Sequence, residues 1–300
     1  SIEVFPEFAR QHWDRIRSAL FEGAYHPAAV KRVMIPKATG GQRPLGIPTV
    51  LDRVIQQAIA QVITPLFEPK FSEHSYGFRP KRSARMALAE MERAYGDGLR
   101  YAVDCDLKSF FDTVNHGLLI NRLTKSIKDP RALKLIGRYL RAGTIMPDGG
   151  WENATCGIPQ GGPLSPVLAN VMLDDLDKEL ERRGLRFTRY ADDFLIFVNS
   201  QSAAQRVLES VRRFIESHLS LSINETKSKA ARINECTFLG FRMQHGKLRW
   251  TDAAVRWFKQ RVRQITDRHN GKSMRQRLEA LRRYVVGWLN YFGHSRSYAQ

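Results

Sequence analysis

Two aspartates, Asp192 and Asp193, stand side by side in RYADDFLIF and interrupt an otherwise apolar run. Adjacent carboxylates repel each other, so they belong either to a solvated turn or to a site for a divalent cation. A second pair, Asp104 and Asp106, lies in YAVDCDL, where alternation in a strand would bury one face and direct both aspartates to the other. If the two stretches are neighbours, Asp106, Asp192 and Asp193 converge.

Three converging carboxylates predict nucleotidyl transfer. Two divalent ions held about 4 Å apart by such groups can activate an attacking oxygen and stabilise a departing pyrophosphate. Mg²⁺ suits this chemistry because it prefers oxygen ligands and leaves positions open for substrate phosphates. Each acidic motif alone is more often a solvated turn or a surface strand. Together, in a basic chain, they favour a polymerase palm.

A glycine-rich loop in CGIPQGGPLSPVLANVML is a third candidate. Its small residues would let a nucleotide or template base approach closely, and the amide of Gln160 could donate a hydrogen bond to it. The alternative is a plain helix entry with flexible glycines. The pattern predicts a helix over 165–183, with Ser165 as N-cap and Pro166 as the first helical residue.

Helices and strands must position these motifs. Apolar periodicity predicts helices at 7–22, 50–67 and 201–218, another helix that ends near Gly96, and helices at the C-terminal end. Strands are predicted on both sides of TGGQ, from Arg100, around YADD, and within 222–241. This mixture indicates an α+β fold with boundaries near residues 100 and 250.

The composition indicates a polyanionic partner. The 300 residues are 43% apolar and include 48 Lys or Arg against 30 Asp or Glu, a net charge of +18. Residues 251–300 hold 11 basic and three acidic residues. The basic residues alternate with apolar and aromatic ones at helical spacing, which indicates helices with one face in a core and the other on phosphates. Membrane-surface binding is a lower-ranked alternative, and the apolar runs are too short for a membrane span.

Three cysteines, Cys105, Cys156 and Cys236, are widely spaced among apolar residues. Their number and spacing match neither a disulfide framework nor a metal site. We therefore expect reduced core thiols in a cytoplasmic protein.

Several stretches, in order, resemble the group II intron-encoded reverse transcriptases and maturases. The palm blocks are DLKSFFDTVNH, GIPQGGPLSPVLANVMLDDLD, RYADDFLIF, LSINETKSK and FLGFRM. Two further stretches, RPLGIPTVLDRVIQQAIAQVITPLFE and SEHSYGFRPKRSA, resemble that family's fingers blocks. The stretch VVGWLNYF resembles its thumb. The resemblance covers nearly the whole chain.

The resemblance implies a right-hand polymerase with fingers at 1–99, a palm of antiparallel sheet and helices at 100–249, and a basic helical thumb and start of the maturase region at 250–300. It implies an RNA-directed DNA polymerase that extends a DNA or RNA primer on an RNA template with dNTPs. The template would be a group II intron RNA, with RNA binding linked to splicing and retrohoming. Two Mg²⁺ ions, or Mn²⁺ in their place, would be the cofactors.

The resemblance also assigns roles to residues. Asp106, Asp192 and Asp193 match the catalytic, metal-binding carboxylates, with the carbonyl of Leu107 as a further ligand. Phe111 matches the ring on which the deoxyribose rests, and its bulk would exclude a 2′-hydroxyl. The other nucleotide-binding candidates are Lys37, Arg43, Gln160 and Lys227, with Lys229 as an alternative to Lys227. The nucleic-acid-binding candidates are Arg79, Lys81, Arg82, Arg85, Phe238 and Gly240.

Other interpretations remain open. The chain could be an RNA-binding maturase fragment, or a host reverse transcriptase in repair, phage defence or CRISPR spacer acquisition. Phe111 disfavours a viral RNA-dependent RNA polymerase, which must admit a 2′-hydroxyl. The family's N-terminal segment and its maturase region after GWLNYF are expected to be absent or cut short here, so the resemblance leaves template gripping and intron-specific RNA binding open for this chain. No His-Asn-His endonuclease pattern is present, so target-DNA cleavage is not expected.

Overall fold

The computed structural model describes residues 2–36, 41–269 and 271–293. The N-terminal part begins with helix α1 (Phe5–Phe21) and a hairpin of strands β1 (Val30–Pro36) and β2 (Gln42–Ile47). The two strands pair antiparallel, from Lys31 opposite Ile47 to Pro36 opposite Gln42. The hairpin tip, with Lys37, lies outside the described residues.

Helix α2 (Val50–Phe67) anchors this part to the rest of the molecule. It begins at Thr49, whose hydroxyl accepts the backbone N–H of Asp52. The Asp52 carboxylate is buried and accepts hydroxyl hydrogen bonds from Thr49 (2.6 Å), Tyr25 (2.8 Å) and Tyr139 (3.1 Å). Because a buried carboxylate is costly without donors, this cluster fixes how α2 meets its neighbours.

A four-stranded antiparallel sheet forms the centre, with strand order β6, β7, β3, β8. The strands are β3 (Tyr101–Asp106), β6 (Arg186–Tyr190), β7 (Asp193–Val198) and β8 (Lys229–Arg232). Helices supply the packing partners, and the buried core lies between them and the sheet. They are α3 (Ala84–Gly96), α4 (Phe110–Thr113), α5 (His116–Thr124), α6 (Pro130–Leu140), α7 (Ser165–Arg182) and α8 (Gln201–Phe214).

Two short strands between α6 and α7 join the N-terminal hairpin instead. β4 (Thr144–Ile145) pairs parallel with β1, and β5 (Trp151–Glu152) pairs with β4, so the second sheet has the order β2, β1, β4, β5. Residues from the middle of the chain thus complete a sheet begun at its start.

The C-terminal part consists of hairpin β9 (Phe241–Gln244) and β10 (Lys247–Trp250), then helices α9 (Asp252–Thr266) and α10 (Met274–Phe292). Aromatic side chains hold these helices together: Trp288 of α10 is buried and packs against Phe258 of α9, with 4.9 Å between ring centroids. Ser273 and Gln276 form a capping box at the start of α10. Among the described residues of α9 and α10 only Trp288 is buried, so the predicted apolar face is mostly half-exposed, and contact of the basic face with phosphates stays a prediction.

The α+β prediction is confirmed, and some local predictions are corrected. Ser165 is not an N-cap: it is the first residue of α7, and its hydroxyl donates to the carbonyl of Pro159 (2.5 Å). Cys156 is an exposed thiol rather than a core one, whereas Cys105 and Cys236 are buried. In the described ranges no helix is long and apolar enough to cross a membrane.

Candidate active site

The strand register places the predicted carboxylates at one edge of the central sheet. In the β3–β7 ladder Asp106 pairs directly with Asp193, and in the β6–β7 ladder Tyr190 pairs with Asp193. Asp192 therefore sits in the two-residue turn between β6 and β7. Directly paired residues have Cβ atoms about 5 Å apart, so the register alone makes Asp106 and Asp193 neighbours.

The turn itself has an unusual backbone. Ala191 adopts φ +59°, in the left-handed region that side chains rarely occupy. The segment before α3 covers it closely: a Cβ at Gly77 would overlap the backbone nitrogen of Ala191 and lie 2.9 Å from the carbonyl carbon of Tyr190. Because those neighbours are backbone atoms, only glycine fits there.

Like charges crowd this edge. Burial, followed by the charges of Asp104, Asp192 and Asp106, raises the pKa of Asp193 to about 7, although the Leu239 N–H opposes the shift by donating to it. Burial also raises the pKa of Asp104 to about 6. Oxygen donors that repel one another fit a divalent cation, whose charge would favour the ionised form of each.

The pKa of Asp192 is raised as well, mainly by burial, and the nearby positive charge of Arg43 opposes that shift. The interaction places the exposed Arg43 of β2 on the same side as the carboxylates. The predicted role of Arg43 with the substrate's phosphates stays a prediction.

Within the described ranges no three His, Cys, Asp or Glu side chains stand close enough together to hold a metal. Asp106 instead faces Lys227, with 3.6 Å between Nζ and Oδ2, and both side chains are substantially exposed. Lys229, the alternative candidate, donates to the carbonyl of Glu235 (2.6 Å). Lys227 is thus the lysine that contacts Asp106, whereas Lys229 lies opposite Asp104 in the β3–β8 ladder.

A backbone clamp holds Asp106 from the other side. Ser228 Oγ accepts the Asp106 N–H (3.1 Å) and also donates to the Asp106 carbonyl (3.3 Å), which in turn accepts the N–H of Asn224 (2.7 Å). Leu107 follows with a bridge to Ile223. The predicted ligands Asp106 and Leu107 therefore sit on a fixed backbone.

The glycine loop joins the N-terminal hairpin to this region. The Gln160 carbonyl accepts the N–H of Gly46 in β2 (2.7 Å), and the N–H of Ile158 donates to the Phe111 carbonyl (2.6 Å). Phe111 and Gln160 line one cleft of about 290 Å³ that also includes Gly46 and Asp112. Two predicted nucleotide-binding residues are thus brought together.

His116 supports the same loop and gives it a pH dependence. His116 is buried, and its Nε2 lies 2.7 Å from the Gly157 carbonyl, to which it donates. Burial lowers the pKa of His116 below its ordinary value near 6.5. The unfolded chain therefore binds the proton first, so the free energy of unfolding should fall as the pH drops below about 6.5.

Urea unfolding of wild type and His116→Gln at pH 7.5 and 5.5 checks this expectation. Gln keeps a donor for the Gly157 carbonyl but does not titrate, so the variant should lose less stability over this interval. An equal loss in both proteins would show that His116 does not contribute to the acid sensitivity.

Two predicted nucleic-acid contacts are corrected because the side chains are buried. The Arg79 guanidinium is 2% exposed, pairs with Glu68 (2.9 Å) and donates to the carbonyls of Ser72 and Ser75, so it cannot meet a phosphate. Phe238 is 0% exposed and belongs to the core. Gly240 adopts φ +82°, and its contact with nucleic acid stays a prediction.

The remaining basic candidates differ in availability. Arg82 pairs with Glu73 and also donates to its carbonyl (3.1 Å). Lys81 and Arg85 are exposed. The accessible positive charge around the start of α3 is therefore carried by Lys81 and Arg85.

Sequence reasoning missed three buried polar residues around the turn: Asn170, Asp177 and Arg189. The sequence of α7 contains a pattern that could have identified two of them. Asn170 and Asp177 are seven residues apart on α7, on one face of a helix whose other buried residues, apart from Ser165, are apolar. Polar residues at such positions indicate a buried partner.

Comparison with known protein families gives two matches. Residues 35–243 match the family described as "Reverse transcriptase (RNA-dependent DNA polymerase)". Residues 255–299 match "Group II intron, maturase-specific domain". The second match falls inside the segment predicted as thumb and start of the maturase region.

Curated relatives include Protein YkfC of Escherichia coli, 33% identical over 279 residues, covering 80% of this chain and 73% of the relative. The group II intron-encoded protein LtrA of Lactococcus lactis is 30% identical over 300 residues, covering 78% of this chain. The chain spans about half the length of LtrA (50%).

Among solved structures, telomerase from Candida tropicalis in complex with a telomeric RNA fragment aligns over 93% of this chain and 57% of its own. The TM-score is 0.58 at 14% identity. At that identity the likeness concerns the fold alone, and it agrees with a right-hand arrangement of the elements described above.

Proposed function

The chain belongs to the reverse transcriptase family, and to its group II intron-encoded members, and from that premise we propose that its acidic edge extends a primer 3′-hydroxyl on an RNA template with dNTPs. The observation that carries the proposal is the register of the central sheet, which pairs Asp106 with Asp193 next to the Asp192 turn. As regions of this polymerase we propose fingers at 1–99, a palm at 100–249, and a thumb with the maturase-specific match at 250–300.

Asp106, Asp192, Asp193 and the carbonyl of Leu107 would hold two Mg²⁺ ions, with Mn²⁺ as a substitute. When bound, such ions supply electrostatic stabilisation of the charge that develops during phosphoryl transfer. The protein's own contribution is to place the oxygen donors on fixed strand ends, so that little reorganisation is needed during the reaction.

The cationic residues at this edge suit the triphosphate. Lys227, within 3.6 Å of Asp106 and largely exposed, would turn to the pyrophosphate and donate a proton to it. Arg43 would bind phosphate oxygens through charge-assisted hydrogen bonds, and we assign Lys37 the same task. The cleft lined by Phe111 and Gln160 would hold the sugar and base of the incoming nucleotide.

The RNA bound by this chain would be a group II intron, since LtrA is described as encoded by one. The match of residues 255–299 to the maturase-specific domain favours RNA binding by α9 and α10. Their exposed arginines and lysines lie opposite a packed aromatic face. We propose that this surface grips the RNA while the acidic edge performs the chemistry.

Primer extension by the purified chain tests the proposal. A labelled primer annealed to an RNA template should be extended with dNTPs and Mg²⁺, and EDTA should abolish extension. RNA that binds without any extension would overturn the polymerase proposal and support the alternative of an RNA-binding maturase fragment.

Binding to the primer–template should weaken steeply with salt because phosphate contacts release counterions. We expect about a 1,000-fold loss of affinity between 50 and 200 mM salt. Lys81→Ala and Arg85→Ala should each reduce the slope of log affinity against log salt by about one. Arg131→Ala, which removes an exposed arginine paired with Asp129, is the control and should leave the slope unchanged. Unchanged slopes in all three variants would place the nucleic acid elsewhere.

A further inference from the structure

Arg189, directly before the Tyr190–Asp193 turn, is a fully buried arginine. Its side chain and that of Asp177 are both 0% exposed. The guanidinium forms a two-pronged pair with Asp177, Nε to Oδ1 at 2.7 Å and Nη2 to Oδ2 at 2.5 Å. Its remaining nitrogen, Nη1, donates to Asn170 Oδ1 (3.0 Å) and to the carbonyl of Ala191 (2.8 Å).

The contact with Ala191 lies at the centre of the acidic edge. Ala191 immediately precedes Asp192 and holds the left-handed backbone that turns the chain. Its carbonyl is fixed by a charged donor that is itself fixed at three other atoms. The peptide plane between Ala191 and Asp192 is therefore set by Arg189 rather than by the turn alone.

The same network reaches the segment before α3. The Asn170 side-chain amide donates to the Gly77 carbonyl (2.9 Å). The backbone of Arg189 is paired on both sides, since its N–H donates to the His74 carbonyl (2.9 Å) and its carbonyl accepts the N–H of Tyr76 (2.8 Å). The turn is thus held between α7 and the segment 72–78.

Stability alone does not explain an ion pair at this place. Removing two charges from water is costly, and well-packed apolar residues of similar volume usually stabilise a core as much or more. What apolar residues cannot do is fix the direction of a carbonyl. The network supplies that direction at the one turn that carries Asp192.

We infer that Arg189 is a positioning residue of the acidic edge: oriented by Asp177 and Asn170, it holds the Ala191 carbonyl and thereby sets how Asp192 and Asp193 face Asp106. The inference rests on the proposed function, because it assigns a role in the proposed metal-dependent polymerase centre. No such role follows for Arg122, a second buried arginine, which pairs with Asp175 of α7 at 2.8 Å and whose other contacts, Met172 and His218, lie outside the turn.

Asn170→Ala and Arg189→Lys test the inference, with Arg122→Lys as the matched control. The readouts are the single-turnover incorporation rate, the Mn²⁺ dissociation constant by electron paramagnetic resonance with a chain-terminated primer, the primer–template affinity, and urea unfolding. We expect about a 10- to 100-fold lower rate and weaker Mn²⁺ binding for both network variants, with the primer–template affinity kept. Arg122→Lys should lose stability but keep rate and metal affinity.

If Asn170→Ala and Arg189→Lys lose only stability, as expected of the control Arg122→Lys, the inference is overturned. If Arg189→Lys does not fold, Asn170→Ala decides, since it leaves the Arg189–Asp177 pair in place. Asp192→Asn is measured beside them to separate the two claims. An active Asp192→Asn protein would overturn the proposed function itself. If Asp192→Asn is inactive while Asn170→Ala and Arg189→Lys keep the wild-type rate and Mn²⁺ binding, only the inference about Arg189 is overturned.

Discussion

Replacing Asp192 with asparagine should lower the rate of templated nucleotide incorporation at least about 1,000-fold, a loss of ~4 kcal/mol of transition-state stabilisation. The amide has the shape of the carboxylate but neither its charge nor its affinity for a divalent cation. Single-turnover incorporation of one dNTP measures the effect. We expect the same loss for Asp106→Asn, because its register partner is Asp193.

Asp192→Asn should not lower the free energy of unfolding. Burial raises the pKa of Asp192, so the folded protein disfavours the charged form, and the neutral amide removes a repelling charge. Urea unfolding near pH 7 should show equal or greater stability for Asp192→Asn. Asp14→Asn, an exposed change on α1, serves as the control with wild-type rate and stability. Near-normal incorporation by a folded Asp192→Asn protein would contradict the assignment of the site.

Replacing Phe111 with valine should let ribonucleotides into the site. The ratio of kcat/KM for a dNTP to that for the matching rNTP should fall about 100-fold, because the smaller side chain leaves space for a 2′-hydroxyl. The ring is held in place: the Phe111 carbonyl accepts the Ile158 N–H (2.6 Å), and Phe110 packs edge-on with 5.1 Å between centroids. Incorporation of single dNTPs and rNTPs measures the ratio.

Phe110→Leu is the matched control for that experiment. Phe110 is 2% exposed and belongs to the core, so this change should lower stability while the sugar ratio stays unchanged. If Phe110→Leu and Phe111→Val alter the ratio equally, or if Phe111→Val leaves it intact, Phe111 does not select the sugar.

Much of the scaffold could be predicted from sequence because its determinants are local. The alternation in YAVDCDL predicts that Asp104 and Asp106 share a face, and both are half-buried while Val103 and Cys105 are buried. The helix predicted at 50–67 has those bounds. Hydrophobic residues repeat every second position in a strand and about every 3.6 positions in a helix because each element buries one face, so these patterns can be read from the sequence.

What could not be predicted depends on contacts between distant segments. Arg79 sits in a basic stretch that suggests a phosphate site, but Glu68 and the carbonyls of Ser72 and Ser75 consume its donors. Whether an arginine is exposed is decided by tertiary packing. The Arg189–Asp177 pair belongs to the same class, because it joins a strand to a helix face across an intervening turn.

The Asp106–Lys227 contact also lies beyond sequence reasoning. The lysine follows the aspartate by more than a hundred residues, and only the pairing of β3 with β8 brings them together. Sequence similarity suggested Lys227 and left Lys229 as an alternative. Lys227 contacts Asp106, whereas Lys229 lies opposite Asp104 and donates to the Glu235 carbonyl.

Single-nucleotide incorporation on two RNA templates that differ only in the first templating base tests the central claim most directly. With Mg²⁺ and each dNTP supplied separately, the wild-type chain should add only the complementary deoxynucleotide, and the change of template base should change which one is added. Asp192→Asn should add none. Addition that ignores the template base, or tight primer–template binding with no addition by the wild type, would contradict an RNA-directed DNA polymerase centred on Asp106, Asp192 and Asp193.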